Sequence, residues 1–295
     1  MKFNEFKRLK VDDYYWRLIF GRSKYKASFF ELRANDFKDL PAPIFFLSTG
    51  RCGTNWFTVL LSNDRSLKVF HEPRPNMGVQ GRIAYELYTR SDFQPEDNVA
   101  NLLREIVLTG REQSIRYSYK SQRRFVETNN QISFLAPAIF NLFPEAKFIH
   151  LNRHPGEFVR SAMRRNFYNN TDDIKRIVPV ESDPAYIGWE KFSPVEKNSW
   201  LWTETNSFIE KFKSTLPAES HLYFDFNKLD EGNIQKLCAF LGVGIDKNRV
   251  RKMLNQPVNE QRSGQVKGYS NWSDEDKSAL QKICGKLASS YNYQL

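Results

Sequence analysis

The stretch from Ile44 to Trp56, IFFLSTGRCGTNW, restricts the fold more than any other part of this 295-residue chain. An apolar run of strand length passes through a loop bearing Gly50 and Gly53 into the apolar helical pattern TNWFTVLL, and units of this kind build α/β sheets. The two glycines let the backbone turn tightly and come close to a ligand. Thr54 is expected to cap the helix, whose first N–H groups and dipole attract an oxyanion such as phosphate or sulfate. Thr49, Gly50, Arg51, Cys52, Gly53 and Thr54 are therefore the first candidate binding residues. The nucleotide pattern GxxxxGK[ST] is missing: the glycines are three apart, and Thr54 follows Gly53 where that pattern requires lysine. An ordinary Mg–ATP site is disfavoured. Arg51 supplies the cation instead, with a guanidinium that can fork onto two oxygens of one anion.

Downstream, apolar strand-length runs alternate with helical patterns. Strands are expected at 44–48, 66–70, 114–119, 147–151 and 221–226, and helices at 54–63, about 97–109, 131–142, 156–167, 194–214, 230–241 and 273–290. The alternation predicts an α/β fold, a central parallel sheet with helices on both faces. With 40% hydrophobic and 15% aromatic residues the chain can bury one large core, expected over 41–295. Residues 168–193, with NNTDD, Pro179, Pro184 and Gly188, read as a long loop or lid. Residues 1–40 hold ten Lys/Arg against six Asp/Glu among many aromatics. Such a basic aromatic arm packs on its own domain, the arrangement expected here, or lies on a membrane surface.

Lysine and arginine outnumber acids 44 to 34, a net charge of +10 that points to an anionic partner without choosing among nucleotide, anionic polymer, nucleic acid and lipid. Cys52, Cys238 and Cys284 have no paired spacing, so neither a disulfide framework nor a metal knuckle is indicated. A reducing, cytoplasmic compartment is expected. No run approaches the length of a membrane span, and the start lacks the apolar core of a signal peptide.

In a parallel sheet, ligands bind beyond the carboxyl ends of the strands. The expected strand ends carry Thr49 to Thr54, then His71 and Glu72, then Lys120, then Arg153. The segment FIHLNRHPGEFVRSAMRRNFY adds a helix opened by Pro155, on which Ser161 and Arg165 lie four residues apart, so Arg153, Ser161 and Arg165 can close on one phosphate.

Together, STGRCGTNW and RHPGEFVRSAMRR resemble the two nucleotide signatures of the sulfotransferases that use 3′-phosphoadenosine 5′-phosphosulfate (PAPS), a resemblance running over roughly residues 43–243. It implies a P-loop-like sulfotransferase fold and PAPS as co-substrate with no metal. It also implies that the first loop binds the 5′-phosphosulfate, and that Arg153 and Ser161, which keep the family's spacing of eight, bind the 3′-phosphate. The loop looks closer to the Arg-Ser-Gly-Thr form of the tyrosylprotein and many bacterial sulfotransferases than to the Lys-Ser-Gly-Thr form of the aryl enzymes. Cys52 and Asn55 depart from it, standing where serine, and threonine or serine, are usual. Trp56 coincides with an adenine-stacking tryptophan of the aryl enzymes and fits a core position equally well. Lys267, in QVKGYS, is loosely similar to a basic loop that closes over the 3′-phosphate.

Sulfuryl transfer asks the protein chiefly for positioning and charge stabilisation. Glu72 is the candidate general base, a role the tyrosylprotein and bacterial resemblance also implies. Its alternative is a salt bridge to Arg74, and His71, expected to face the other way, is the fallback base. Arg51 would meet the charge growing on the leaving phosphate, and Lys120 resembles a family lysine that holds the transferring group. Cys52 as a low-pKa nucleophile is set aside, because Thr58 stands where a cysteine phosphatase needs arginine. The acceptor is expected to be a hydroxyl of a saccharide, a glycolipid or another small molecule. Segment 75–110 and the lid would shape its pocket, with Tyr85, Tyr88, Phe93, Tyr186, Trp189 and Phe192 as candidate contacts. A nucleic-acid partner is not expected. The alternatives are a P-loop kinase of a small metabolite, which would need a Walker lysine, and a non-catalytic polyanion or nucleic-acid binder, motivated by the charge and the arm.

Overall fold

In the strand β1 (Ile44–Leu47) all four residues are at most 1% exposed, the mark of a central strand covered on both faces. The computed structural model describes residues 41–89, 98–169, 174–255 and 266–295. The arm expected over 1–40, Phe93 and part of the expected lid lie outside them. The strands β2 (Leu67–Phe70), β3 (Arg124–Thr128), β4 (Lys147–Asn152) and β5 (His221–Asp225) join β1 in one parallel sheet of order β2-β3-β1-β4-β5. Around it, in chain order, run α1 (Thr54–Leu61), α2 (Gly78–Tyr88), α3 (Asn98–Lys120), α4 (Ala136–Leu142), α5 (Pro155–Met163), α6 (Pro194–Lys213), α7 (Glu231–Leu241), α8 (Lys247–Leu254) and α9 (Asp274–Ser290).

Strand pleating divides β1 between two cores. Ile44 and Phe46 pack with Phe57 and Leu60 of α1 and with Ile234 and Leu237 of α7. Phe45, pointing the other way, meets Phe125 at 5.7 Å and Phe148 at 5.9 Å, and Phe148 meets Phe212 of α6 edge-on at 5.1 Å. Each such buried ring contributes roughly 1.5–3 kcal/mol. The starts of α6 and α5 follow from local chemistry. Ser193 and Glu196 form a reciprocal capping box ahead of α6, and Pro155 opens α5 with the His154 ring accepting from Gly156 N at 3.1 Å.

The sheet and its two helical layers match the expectation, with one strand displaced. Residues 114–119 are not a strand but the end of α3, whose buried residues Leu103, Val107, Arg111 and Ile115 recur every four positions along one helical face. The third strand is instead β3, which begins at Arg124, four residues after α3 ends at Lys120. Helices α2 and α8 add to those expected.

Candidate active site

The carboxyl ends of the five strands surround a cavity of about 520 Å³, a volume that suits a nucleotide-sized ligand. Gly50, Arg51 and the start of α1 wall it after β1, His71 and Glu72 after β2, and Asn130 and Gln131 after β3. Arg153 follows β4, Arg165 and Phe167 lie beyond α5, and Phe226 follows β5. Arg176, from the expected lid, completes the wall with its guanidinium 3.2 Å from the centre of the Phe167 ring. Among the described residues, four guanidinium groups thus share the wall with one carboxylate, Glu72.

The first loop turns through left-handed backbone at Gly50 (φ 80), Arg51 (φ 55) and Gly53 (φ 87). Gly53 has a second reason to be glycine, since a Cβ there would lie 2.1 Å from the Phe226 ring. It also corrects the expected cap: Gly53, not Thr54, holds the cap position of α1, because the chain enters that helix through a left-handed residue. Among the described residues no side chain caps α1, which leaves its first N–H groups open to an anion there. Thr49 and Cys52 stand behind the loop rather than in the cavity wall. The Cys52 thiol donates to the Gly50 carbonyl at 3.0 Å and lies 3.2 Å from Thr49 Oγ1. Burial pushes its pKa up from 9.0 to about 11, which keeps the thiol protonated at neutral pH.

The basic residues interlock. Arg51 Nε donates to Ser161 Oγ at 3.0 Å, and Arg153 Nη1 donates to the Arg51 carbonyl at 3.2 Å. Arg153 Nη2 approaches Glu157 at 3.4 Å, while its Nε is buried with no hydrogen-bond partner among the described residues. Burial, and then the Arg165 and Arg153 charges, lower the pKa of Arg51. An anion entering the cavity would relieve that repulsion.

Glu72 and His71 both face the cavity, which corrects the expected opposition between them. β2 ends at Phe70, and beyond it strand alternation no longer holds. His71 Nδ1 lies 2.9 Å from the Thr128 carbonyl, while Arg74, the alternative partner of Glu72, is not in the wall. The expectation for Lys120 is also corrected. As the last residue of α3 it precedes β3, at the amino-terminal edge of the sheet and away from the cavity. Lys267 is exposed and outside the wall, its carbonyl accepting from Trp272 Nε1 at 3.1 Å. Trp56 reaches the wall but is only 5% exposed and meets Phe57 edge-on at 5.1 Å.

Of the aromatics expected near an acceptor, none of the described ones lines this cavity. Tyr85 packs against Phe134 at 5.0 Å, and Trp189 against Tyr168 and Trp200 at 5.2 and 5.1 Å. Asn130, Gln131, Phe167, Arg176 and Phe226 join the wall without having stood out in the sequence. The displaced strand hides the first two, although both closely follow the apolar RFV run of β3.

The sulfotransferase family model matches residues 43–247. In structure the chain is similar to the sulfotransferase domain from the Synechococcus PCC 7002 olefin synthase, at 17% identity and a TM-score of 0.54, over 89% of this chain and 98% of that one. It is also similar to the sulfotransferase domain from the curacin biosynthetic pathway (19% identity, TM-score 0.50, 87% and 99% covered). A third likeness is to sulfotransferase STF9 from Mycobacterium avium (14% identity, TM-score 0.51, 89% and 79% covered). No curated protein matches the chain.

Proposed function

From the premise that the chain belongs to the sulfotransferase family, we propose that it moves a sulfuryl group from PAPS to a hydroxyl of a saccharide, glycolipid or other small acceptor. One observation carries this reading: the uncapped start of α1, the linked Arg51 and Arg153, and Glu72 wall a single cavity. The residues fit a donor with anionic groups at both ends. The first loop and Arg51 would hold the 5′-phosphosulfate, and Arg153 and Arg165 the 3′-phosphate, with Ser161 reached through its bond to Arg51. The Nε of Arg153, buried and without a hydrogen-bond partner among the described residues, suits such an acceptor.

The bound donor supplies a sulfuryl group on a stable leaving phosphate. Glu72 takes the proton of the acceptor hydroxyl while the new S–O bond forms and the S–O bond to the donor phosphate breaks. Arg51 meets the negative charge left on that phosphate, a role pre-organised by Ser161 and Arg153 on either side. Asn130 and Gln131 offer amide donors and acceptors in the same wall as Glu72, which suits a polyhydroxyl acceptor.

The test is the thermal shift with adenosine 3′,5′-bisphosphate against ADP, each with EDTA and with Mg²⁺. A ligand at a hundredfold excess over its Kd stabilises by about 2.7 kcal/mol, enough to read. Stabilisation by the bisphosphate in EDTA is the expected result. Stabilisation by ADP with Mg²⁺ alone would turn the reading to a kinase, and no shift with either would favour a polyanion binder.

A further inference from the structure

The turn that carries Glu72 is disfavoured in two places. Glu72 (φ 45) and Met77 (φ 64) both adopt left-handed backbone, which side-chain-bearing residues keep only where their surroundings impose it. Between the two, a buried polar cluster outside the cavity holds the turn by its backbone. Arg111 of α3 and Glu127 of β3, 2% and 0% exposed, form a two-pronged pair with Nε–Oε2 and Nη2–Oε1 both at 2.6 Å. The remaining nitrogen of Arg111, Nη1, donates to the Pro75 carbonyl at 2.8 Å and to the Gly110 carbonyl at 2.9 Å.

Asn129, fully buried, continues the cluster. Its Nδ2 donates to Glu127 Oε1 at 2.9 Å and to the Asn76 carbonyl at 3.0 Å, and its Oδ1 accepts from Gln131 N at 3.0 Å. The carbonyls of Pro75 and Asn76 are therefore both held by the cluster, and the same Asn129 fixes the backbone of Gln131 in the cavity wall. Gly110 lets α3 come close enough to seat the turn, since a Cβ there would lie 2.6 Å from Met77 Sδ.

A buried ion pair is weak evidence of added stability, because a well-packed apolar pair does as well. Here the donors beyond the pair reach the turn. We propose that Arg111, Glu127 and Asn129 form a clamp that aims Glu72, and with it Asn130 and Gln131, at the acceptor, which makes Arg111 a positioning residue of the transfer reaction. The inference rests on the reading of Glu72 as the base.

The experiment compares hydrogen exchange of the full chain with that of Arg111→Lys and Asn129→Ala, alongside bisphosphate affinity and the rate of bisphosphate release from PAPS with water as the acceptor of the sulfuryl group. Lysine keeps the charge beside Glu127 but cannot make the fork and reach Pro75 together. Amides of 71–77 and 130–132 are expected to exchange about tenfold faster or more, with those of β1 and β4 within about threefold of wild type. Release should fall about tenfold while the Kd for the bisphosphate and the KM for PAPS stay within about threefold. Unchanged exchange in the turn, or an equal rise across β1 and β4, overturns the clamp. Should Arg111→Lys fail to fold, Asn129→Ala, which leaves the Arg111–Glu127 fork in place, gives the same readout. Wild-type protein that does not bind the bisphosphate would sink the donor reading instead, with the exchange result unaffected.

Discussion

Arg51 occupies a backbone conformation that costs a residue with a side chain on the order of 1–2 kcal/mol. Its guanidinium is held by Ser161 while Arg153 holds its carbonyl, so the loop keeps its shape before any ligand arrives. Arg51→Ala is expected to lower turnover by about 10²–10³, roughly 3 kcal/mol of transition-state stabilisation, with the fold intact by circular dichroism. A turnover loss below about tenfold would remove Arg51 from the reacting end. Cys52 gives a prediction in pH. Its folded pKa of about 11 lies above the ordinary 9.0, so the folded state holds the proton more tightly. Its contribution to stability is full below pH 9 and is lost as pH rises from 9 through about 11. Iodoacetamide at about pH 8 should therefore spare Cys52 in the folded protein and label it in urea, which mass spectrometry of the peptide would read.

At the scale of elements, α2 meets the short 3₁₀ helix Asn130–Leu135 at its backbone: a Cβ on Gly81 would lie 2.2 Å from the Gln131 carbonyl. Gly81→Ala must push the two apart and is expected to cost about 1–3 kcal/mol by urea denaturation, as overpacking does. A cost near zero would mean that α2 shifts freely. The same region shows why the sequence pattern displaces one strand. Arg111 interrupts the apolar stripe of α3 and Glu127 interrupts that of β3, each a charge at a buried position. Only the pairing of the two, across 16 residues, makes both acceptable inside, and a local pattern cannot see it. The alternation of Ile115, Tyr117 and Tyr119 meanwhile imitates a strand. Where the chemistry is local, as in IFFLSTGRCGTNW and in Pro155 opening α5, strand, loop and helix are legible directly from the residues.

For the whole molecule, the net charge of +10 and the four guanidinium groups of the cavity attract a polyanionic donor over distance. The association rate of adenosine 3′,5′-bisphosphate, followed by stopped flow, should fall as salt rises, since screening acts beyond about 10 Å at 0.1 M ionic strength. A rate indifferent to salt would limit the arginines to short-range contacts. The strand order also divides the cavity. Loops after β4 and β5 lie on one flank of β1, with Arg153 and Phe226, and loops after β2 and β3 on the other, with Glu72, Asn130 and Gln131. The second flank is one unbroken stretch of chain, from β2 to α4, and it contains its own Arg111–Glu127–Asn129 support. Such a stretch can be inherited as a unit: two crossovers would exchange the flank that carries Glu72, Asn130 and Gln131 between relatives and leave Arg51, Arg153 and Phe226 as they were.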